Sequence, residues 1–171
     1  MSNYGWLPEL VKLEEYAGDW DYYLSVLYSF FKDDFINSSP RFKGMKVGIK
    51  RYPLLNGKEA SFWHIISSGE EENSKVPDLR RCERIRWPRP IIDHFNDAGI
   101  KLWEQEKNRE QRVYLWLEAE DYLVVLSKRG TYCLLWTAFV VNYPHYRDKL
   151  QKQYEAWIKA EAARNRVRTT S

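Results

Sequence analysis

The sequence predicts an α+β fold, helical at both ends with an antiparallel sheet between. Three observations carry that expectation. Apolar residues recur at helical spacing early in the chain, period-two segments separated by turn signals fill its second half, and a second helical stripe follows Pro144. A chain of 171 residues, 44% of them apolar, is large enough to bury one core. A single domain over 1–171 is expected, with a helical hairpin over 1–40, sheet and inserted helices over 41–143, and a helix with a basic tail over 144–171.

In chain order, Pro8 to Tyr16 reads as a short helix ending near Gly18, and Asp19 caps a longer one along Leu24, Leu27, Tyr28, Phe31 and Phe35. Asn37-Ser38-Ser39-Pro40 stops it. Lys46 to Lys50 alternates around Val47 and Ile49, and Ala60 to Ile66 is rich in aromatic and branched residues. Both read as strands, with Asn56-Gly57 as a hairpin turn between them. Glu70 to Lys75 is an acidic loop, and Pro77 opens a short helix over Asp78 to Ile85 before Pro88 and Pro90 break it. Ile91 to Ala98 adds a helical turn or two.

A meander follows: strands over Lys101 to Gln105, Gln111 to Glu118, Tyr122 to Lys128 and Thr131 to Val141 are separated by Lys107-Asn108, Glu120-Asp121 and Arg129-Gly130. The strands of 45–66 and 111–141 are expected in one antiparallel sheet, covered on one face by helices from both ends. Pro144 precedes the last helix, His145 to about Arg164, with Leu150, Tyr154, Trp157 and Ile158 as its stripe. The tail from Arg164 to Ser171 reads as frayed.

Composition excludes several classes of function. Lys and Arg total 27 against 24 Asp and Glu, so the formal +3 does not announce a nucleic-acid binder. Cys82 and Cys133 lie outside any C-x-x-C spacing, no His stands at a metal-ligand interval, and the nucleotide-binding and hydrolase fingerprints are missing. No metal or nucleotide cofactor is expected. Met1 to Leu13 has no signal-peptide core and no apolar run can span a bilayer, so a cytoplasmic protein without membrane contact is expected. The surplus lies in aromatics: 8 Trp, 12 Tyr and 7 Phe exceed what a small core requires, and some suit partners or stacking.

Three residue groups can carry chemistry. His64, on the expected strand, is either a structural histidine or a proton carrier near neutrality. Arg80 and Arg84 share a helix face at i,i+4 with Arg81 about a quarter-turn away, which suits either a phosphate or a solvated face paired with Asp78 and Glu83. Thr137, between Trp136 and Ala138, is by default a good strand former.

Taken in order, F-W-H-I-I-S-S-G, L-R-R-C-E-R-I-R-W-P-R-P-I-I, Y-L-V-V-L-S-K-R-G-T-Y-C-L-L-W-T-A-F and R-D-K-L-Q-K-Q-Y-E-A-W resemble the phage-associated branch of the barnase, EndoU, colicin and RelE-like nuclease superfamily, from about Met45 to Trp157. The resemblance implies a metal-independent, toxin-like endoribonuclease that attacks through the 2′-hydroxyl and leaves a 2′,3′-cyclic phosphate. It implies catalytic roles for His64, Arg81, Arg84 and Thr137, and RNA contacts from Arg80, Trp87, Trp136 and Arg147. An RNA substrate and an antitoxin or immunity partner are implied with it. Phe139 departs from the tyrosine common at the end of the last-strand motif. The alternative is a noncatalytic interaction or RNA-binding protein of the same fold.

Overall fold

A computed structural model describes residues 4–69 and 75–169. The first clear element is helix α1, Trp20–Phe35, which the Asp19 side chain caps by accepting from the Tyr22 N–H at 3.1 Å. Leu27, Phe31 and Phe35 of the expected stripe are buried, Leu24 and Tyr28 are partly buried, and Tyr23 joins the buried face. The segment before it is not a helix. Only Leu13–Tyr16 makes a 3-10 turn, because the preceding backbone bonds elsewhere: the Val11 N–H donates to Glu83, Trp87 Nε1 to the Pro8 carbonyl and Tyr23 Oη to the Val11 carbonyl. Tertiary partners satisfy polar groups that a helix would have satisfied internally.

Two short strands, β1 (Arg41–Phe42) and β2 (Met45–Gly48), turn tightly at Lys43-Gly44, where both residues have positive φ. Residues expected as the next strand form helix α2, Ala60–Ile66. The correction has a physical cause. Phe62, Ile65 and Ile66 stand at i, i+3 and i+4 and are all buried, so a helical face satisfies the core where alternation would split them. Asn56-Gly57 still makes a tight turn, joined only by the Leu55–Lys58 bridge. A two-residue ladder, β3 (Ser67–Ser68) with β4 (Val76–Pro77), leads into α3, Leu79–Glu83, capped by Asp78. The acidic stretch 70–74 lies outside the described residues. Helix α4, Pro88–Asp93, starts at the proline expected to break structure, since a proline at the first helical position loses no hydrogen bond.

The meander agrees with the alternation: β5 (Ile100–Lys107), β6 (Glu110–Leu117), β7 (Tyr122–Arg129) and β8 (Tyr132–Val140) pair antiparallel in sequence. The six-stranded sheet runs β1-β2-β8-β7-β6-β5 and is mixed, because β2 lies parallel to β8. With 60–66 helical, β2 gains no strand from that segment, and lies between its hairpin partner β1 and the parallel last strand.

The two terminal helices sit on opposite faces, not one. Val113, Leu115, Leu117, Val124 and Leu126 join the α1 core, whereas Tyr114, Trp116, Leu123 and Val125 pack with Trp103 and Leu150 of α5, Pro144–Thr169. Alternate residues of β6 and β7 are therefore buried on both sides. The last helix runs to Thr169, beyond the expected fraying at Arg164, and Ile158 of its stripe is exposed.

Candidate functional site

The site forms on the outer edge of β8. The parallel strand β2 pairs only with Tyr132, Cys133 and Leu134, and α2 and α3 lie against the rest of β8. The strand bulges there: Leu126 faces Leu135 but Val125 faces Thr137, which leaves Trp136 as the extra residue. Leu135 and Ala138 consequently both reach the α1 core although they are three apart, and Trp136 and Thr137 lie between them. Bulges re-aim side chains in this way.

Helix α2 presents the half-buried His64 to this edge. Its ring stands 6.2 Å from the Trp136 ring at 61°, and the Lys75 ammonium lies 2.9 and 3.0 Å from its two nitrogens. An ammonium can only donate, so the ring nitrogen it addresses accepts. Helix α3 presents Arg81, whose guanidinium lies 5.3 Å over Phe139 and donates to the His64 carbonyl at 3.4 Å. Burial lowers its pKa, while Asp78 and Tyr122 act in the opposite direction. Arg80, exposed, donates to Asn142 Oδ1 at 2.7 Å.

Arg80 and Arg81 open into a cleft of about 400 Å³ with Ser68, Asn142, Tyr143 and Tyr146 around it. Asp78 also lines it, and the two guanidinium groups outnumber that one carboxylate among hydroxyl and amide side chains, which suits an anion with several oxygens. His64 borders the neighbouring clefts, one beneath Leu54 and Leu55 and a small one shared with Lys50 and Trp136. Thus His64 and Arg81 are brought against Trp136 and Phe139, with the Arg81–His64 hydrogen bond between two clefts, while Thr137, paired with Val125, lines none of these clefts.

Other residues expected in the site are placed elsewhere. Arg84 turns away from Arg81, stacks 5.0 Å over Trp87, donates to the Arg80 carbonyl and lines a cleft with Pro8, Glu9 and Glu120. Trp87 is 4% exposed and edge-on to Tyr122, so it belongs to the core and offers no face to a base. Arg147 is bound by Glu118 and Asp121 at the β6–β7 connection and covers Trp116, so its charge is compensated there. One side of Trp136 is covered by Arg112 at 4.7 Å, which makes it a wedge between arginine and histidine more than an open stacking surface. Lys75, Asn142, Tyr143 and Tyr146 were not singled out by sequence. They come from a loop and a helix start that carry no motif.

Burial pushes the Cys82 thiol up to about 12 and raises that of Cys133, so both stay protonated and inert. Among the described residues no cluster of three or more His, Cys, Asp or Glu could hold a metal ion, and no helix is long and apolar enough to cross a membrane.

No family model, curated protein or solved structure matches this chain, so its functional reading rests on these residues and their geometry.

Proposed function

We propose that this chain is a metal-independent endoribonuclease whose site is His64, Arg81 and Thr137, with Arg80 as a second phosphate contact. The observation that supports it best is the convergence at β8: α2 and α3 bring an imidazole and a guanidinium against Trp136 and Phe139, the residues on either side of the Thr137–Ala138 pair, with Arg81 donating to the His64 carbonyl.

The chemistry divides naturally among them. Attack of a ribose 2′-hydroxyl on the adjacent phosphorus needs a base at that oxygen, and the His64 imidazole can take the proton once Lys75 turns from its accepting nitrogen to the phosphate. The new O2′–P bond closes a 2′,3′-cyclic phosphate as the P–O5′ bond breaks, and the leaving 5′-oxygen takes up a proton from solvent water. The phosphate gains charge on the way, and Arg81 and Arg80 meet that charge in a partly desolvated cleft, where such donors act most strongly. Thr137 supplies a hydroxyl to the phosphate or to the histidine. A protein partner that covers the cleft would hold such an enzyme in check.

The reading is tested by incubating the protein with total RNA and tRNA in excess chelator, beside His64→Ala. Cleavage with cyclic phosphate ends, lost in the variant, is expected. Cleavage that requires added Mg²⁺ or Mn²⁺ would defeat the mechanism.

A further inference from the structure

Five of the ten exposed large apolar side chains among the described residues come from two short segments, Tyr52, Leu54 and Leu55 on one and Val76 and Leu79 on the other. Leu54 and Leu55 line one cleft directly, and Pro77, next to Val76, lines its other side. The cleft encloses about 460 Å³, is walled by Pro53, Leu54, Leu55, Trp63 and Pro77, and has His64 and Lys75 at its polar end.

The cleft is built, not incidental. The Asn56-Gly57 turn is held by reciprocal Leu55–Lys58 backbone bonds, Trp63 Nε1 donates to the Leu55 carbonyl at 3.0 Å, and the Ala60 and Ser61 N–H groups bond the carbonyls of Arg51 and Lys50. The turn and the indole beneath it are therefore fixed to each other, which removes the ordering cost that a mobile wall would add to binding.

The charge at the cleft selects the occupant. Lys75 is the cation among its described lining residues, beside His64, and no carboxylate is among them. An apolar side chain of a protein partner gains nothing from that cation. A nucleotide gains from both parts, since its base is flat and apolar on its faces and its phosphate is anionic.

We propose that this cleft is a nucleobase subsite that takes one unpaired base of single-stranded RNA, stacked against the apolar wall of Trp63 and Leu55 next to the scissile phosphate. The assignment deepens the ribonuclease reading and rests on it for the position of that phosphate. The Arg81–His64 bond, at the boundary between the apolar cleft and the arginine cleft, puts base and phosphate sites on either side of His64. It makes the substrate single-stranded, because a base inside a duplex cannot enter a pocket beside its own backbone.

The test uses the full chain and binding of a short single-stranded RNA, 2′-O-methylated so that it cannot be cleaved, followed by fluorescence anisotropy. Three comparisons are made: the same oligonucleotide with one abasic position placed at each site in turn, the same sequence as a duplex, and the double variant Leu54→Asp, Leu55→Asp, whose residues are about half exposed and leave the core intact. One abasic position, the duplex and the variant should each bind roughly 5- to 150-fold more weakly, the span expected for one stacked base. Equal affinity for intact and abasic RNA would overturn the subsite whether or not the protein cleaves RNA, and needs no variant to fold. Retained RNA affinity with altered sedimentation of Leu54→Asp, Leu55→Asp would make the banks a protein-contact surface and also overturn it. Loss of affinity at the abasic position in a protein that never cleaves RNA would uphold the subsite and sink only the nuclease reading.

Discussion

Replacing Arg81 by Met separates function from stability at the site. In the fold, the Arg81 guanidinium has one long hydrogen bond to the His64 carbonyl at 3.4 Å and lies 5.3 Å over Phe139. A neutral-acceptor hydrogen bond contributes about 0.5–1.5 kcal/mol net, and a partly exposed cation–π contact about 0.5–1 kcal/mol. Against these stands the desolvation that lowers the pKa of this group, which an unbranched apolar side chain of similar length removes. The terms nearly cancel, so Arg81→Met should change unfolding free energy by no more than about 1 kcal/mol in either direction. RNA binding should not be spared. A charge-assisted contact contributes about 1.5–3 kcal/mol, which corresponds to a roughly 10- to 150-fold loss of affinity, and the slope of log affinity on log salt should fall by about 0.7 for one phosphate on a single strand. Urea unfolding and anisotropy titrations over a salt series measure both. A variant destabilised by more than about 3 kcal/mol, with RNA affinity and salt slope unchanged, would show that Arg81 is structural.

Two further outcomes test the fold and its electrostatics. Leu27, fully buried on α1 in the first core, should cost about 2–5 kcal/mol on truncation to Ala, read as a shifted urea midpoint at constant slope; a loss under about 1 kcal/mol would contradict the packing of α1 on the sheet. Burial raises the Asp34 carboxyl to about 6, although Arg89 and Arg86 pull it down. Its folded pKa exceeds the unfolded one, so its stability contribution is complete below about 4 and is lost as pH rises through about 6. Asp34→Asn should therefore gain on the natural protein between these values, by about 1 kcal/mol after discounting its exposed part, and a difference independent of pH would refute the assignment.

The meander was legible because each of its strands is a short run rich in apolar and aromatic residues that ends at a turn signal, so β5 to β8 lie within a residue or two of their expected limits. Helix α1 was legible from its cap and its stripe. Ala60–Ile66 was not, since a short run of aromatic and branched residues has strand propensity and the deciding fact is which face meets Phe31 and Tyr28 of α1. Residues 8–16 failed for a related reason: their backbone partners, Glu83 and Trp87, are remote in sequence. The parallel pairing of β2 with β8 and the placing of α1 and α5 on opposite faces are likewise decided by contacts between distant segments. In the site, His64 and Arg81 were singled out in the sequence and meet at a hydrogen bond, whereas Thr137, also singled out, lines none of the clefts. Trp87 and Arg147 looked equally available, and only burial and the Glu118–Asp121 pair remove them. Lys75 and Tyr146 carry no sequence signal, because a lone lysine or tyrosine gains meaning only from what stands opposite it.

The most direct measurement of the central claim is cleavage of tRNA in excess EDTA by the natural protein and by His64→Ala, with the product ends analysed and both proteins shown to unfold at the same urea concentration. The account predicts products ending in 2′,3′-cyclic phosphate from the natural protein and a rate at least about a hundredfold lower from the variant, the share expected of a positioned proton carrier. Equal rates from both proteins, or no cleavage by either while RNA is bound, would contradict it.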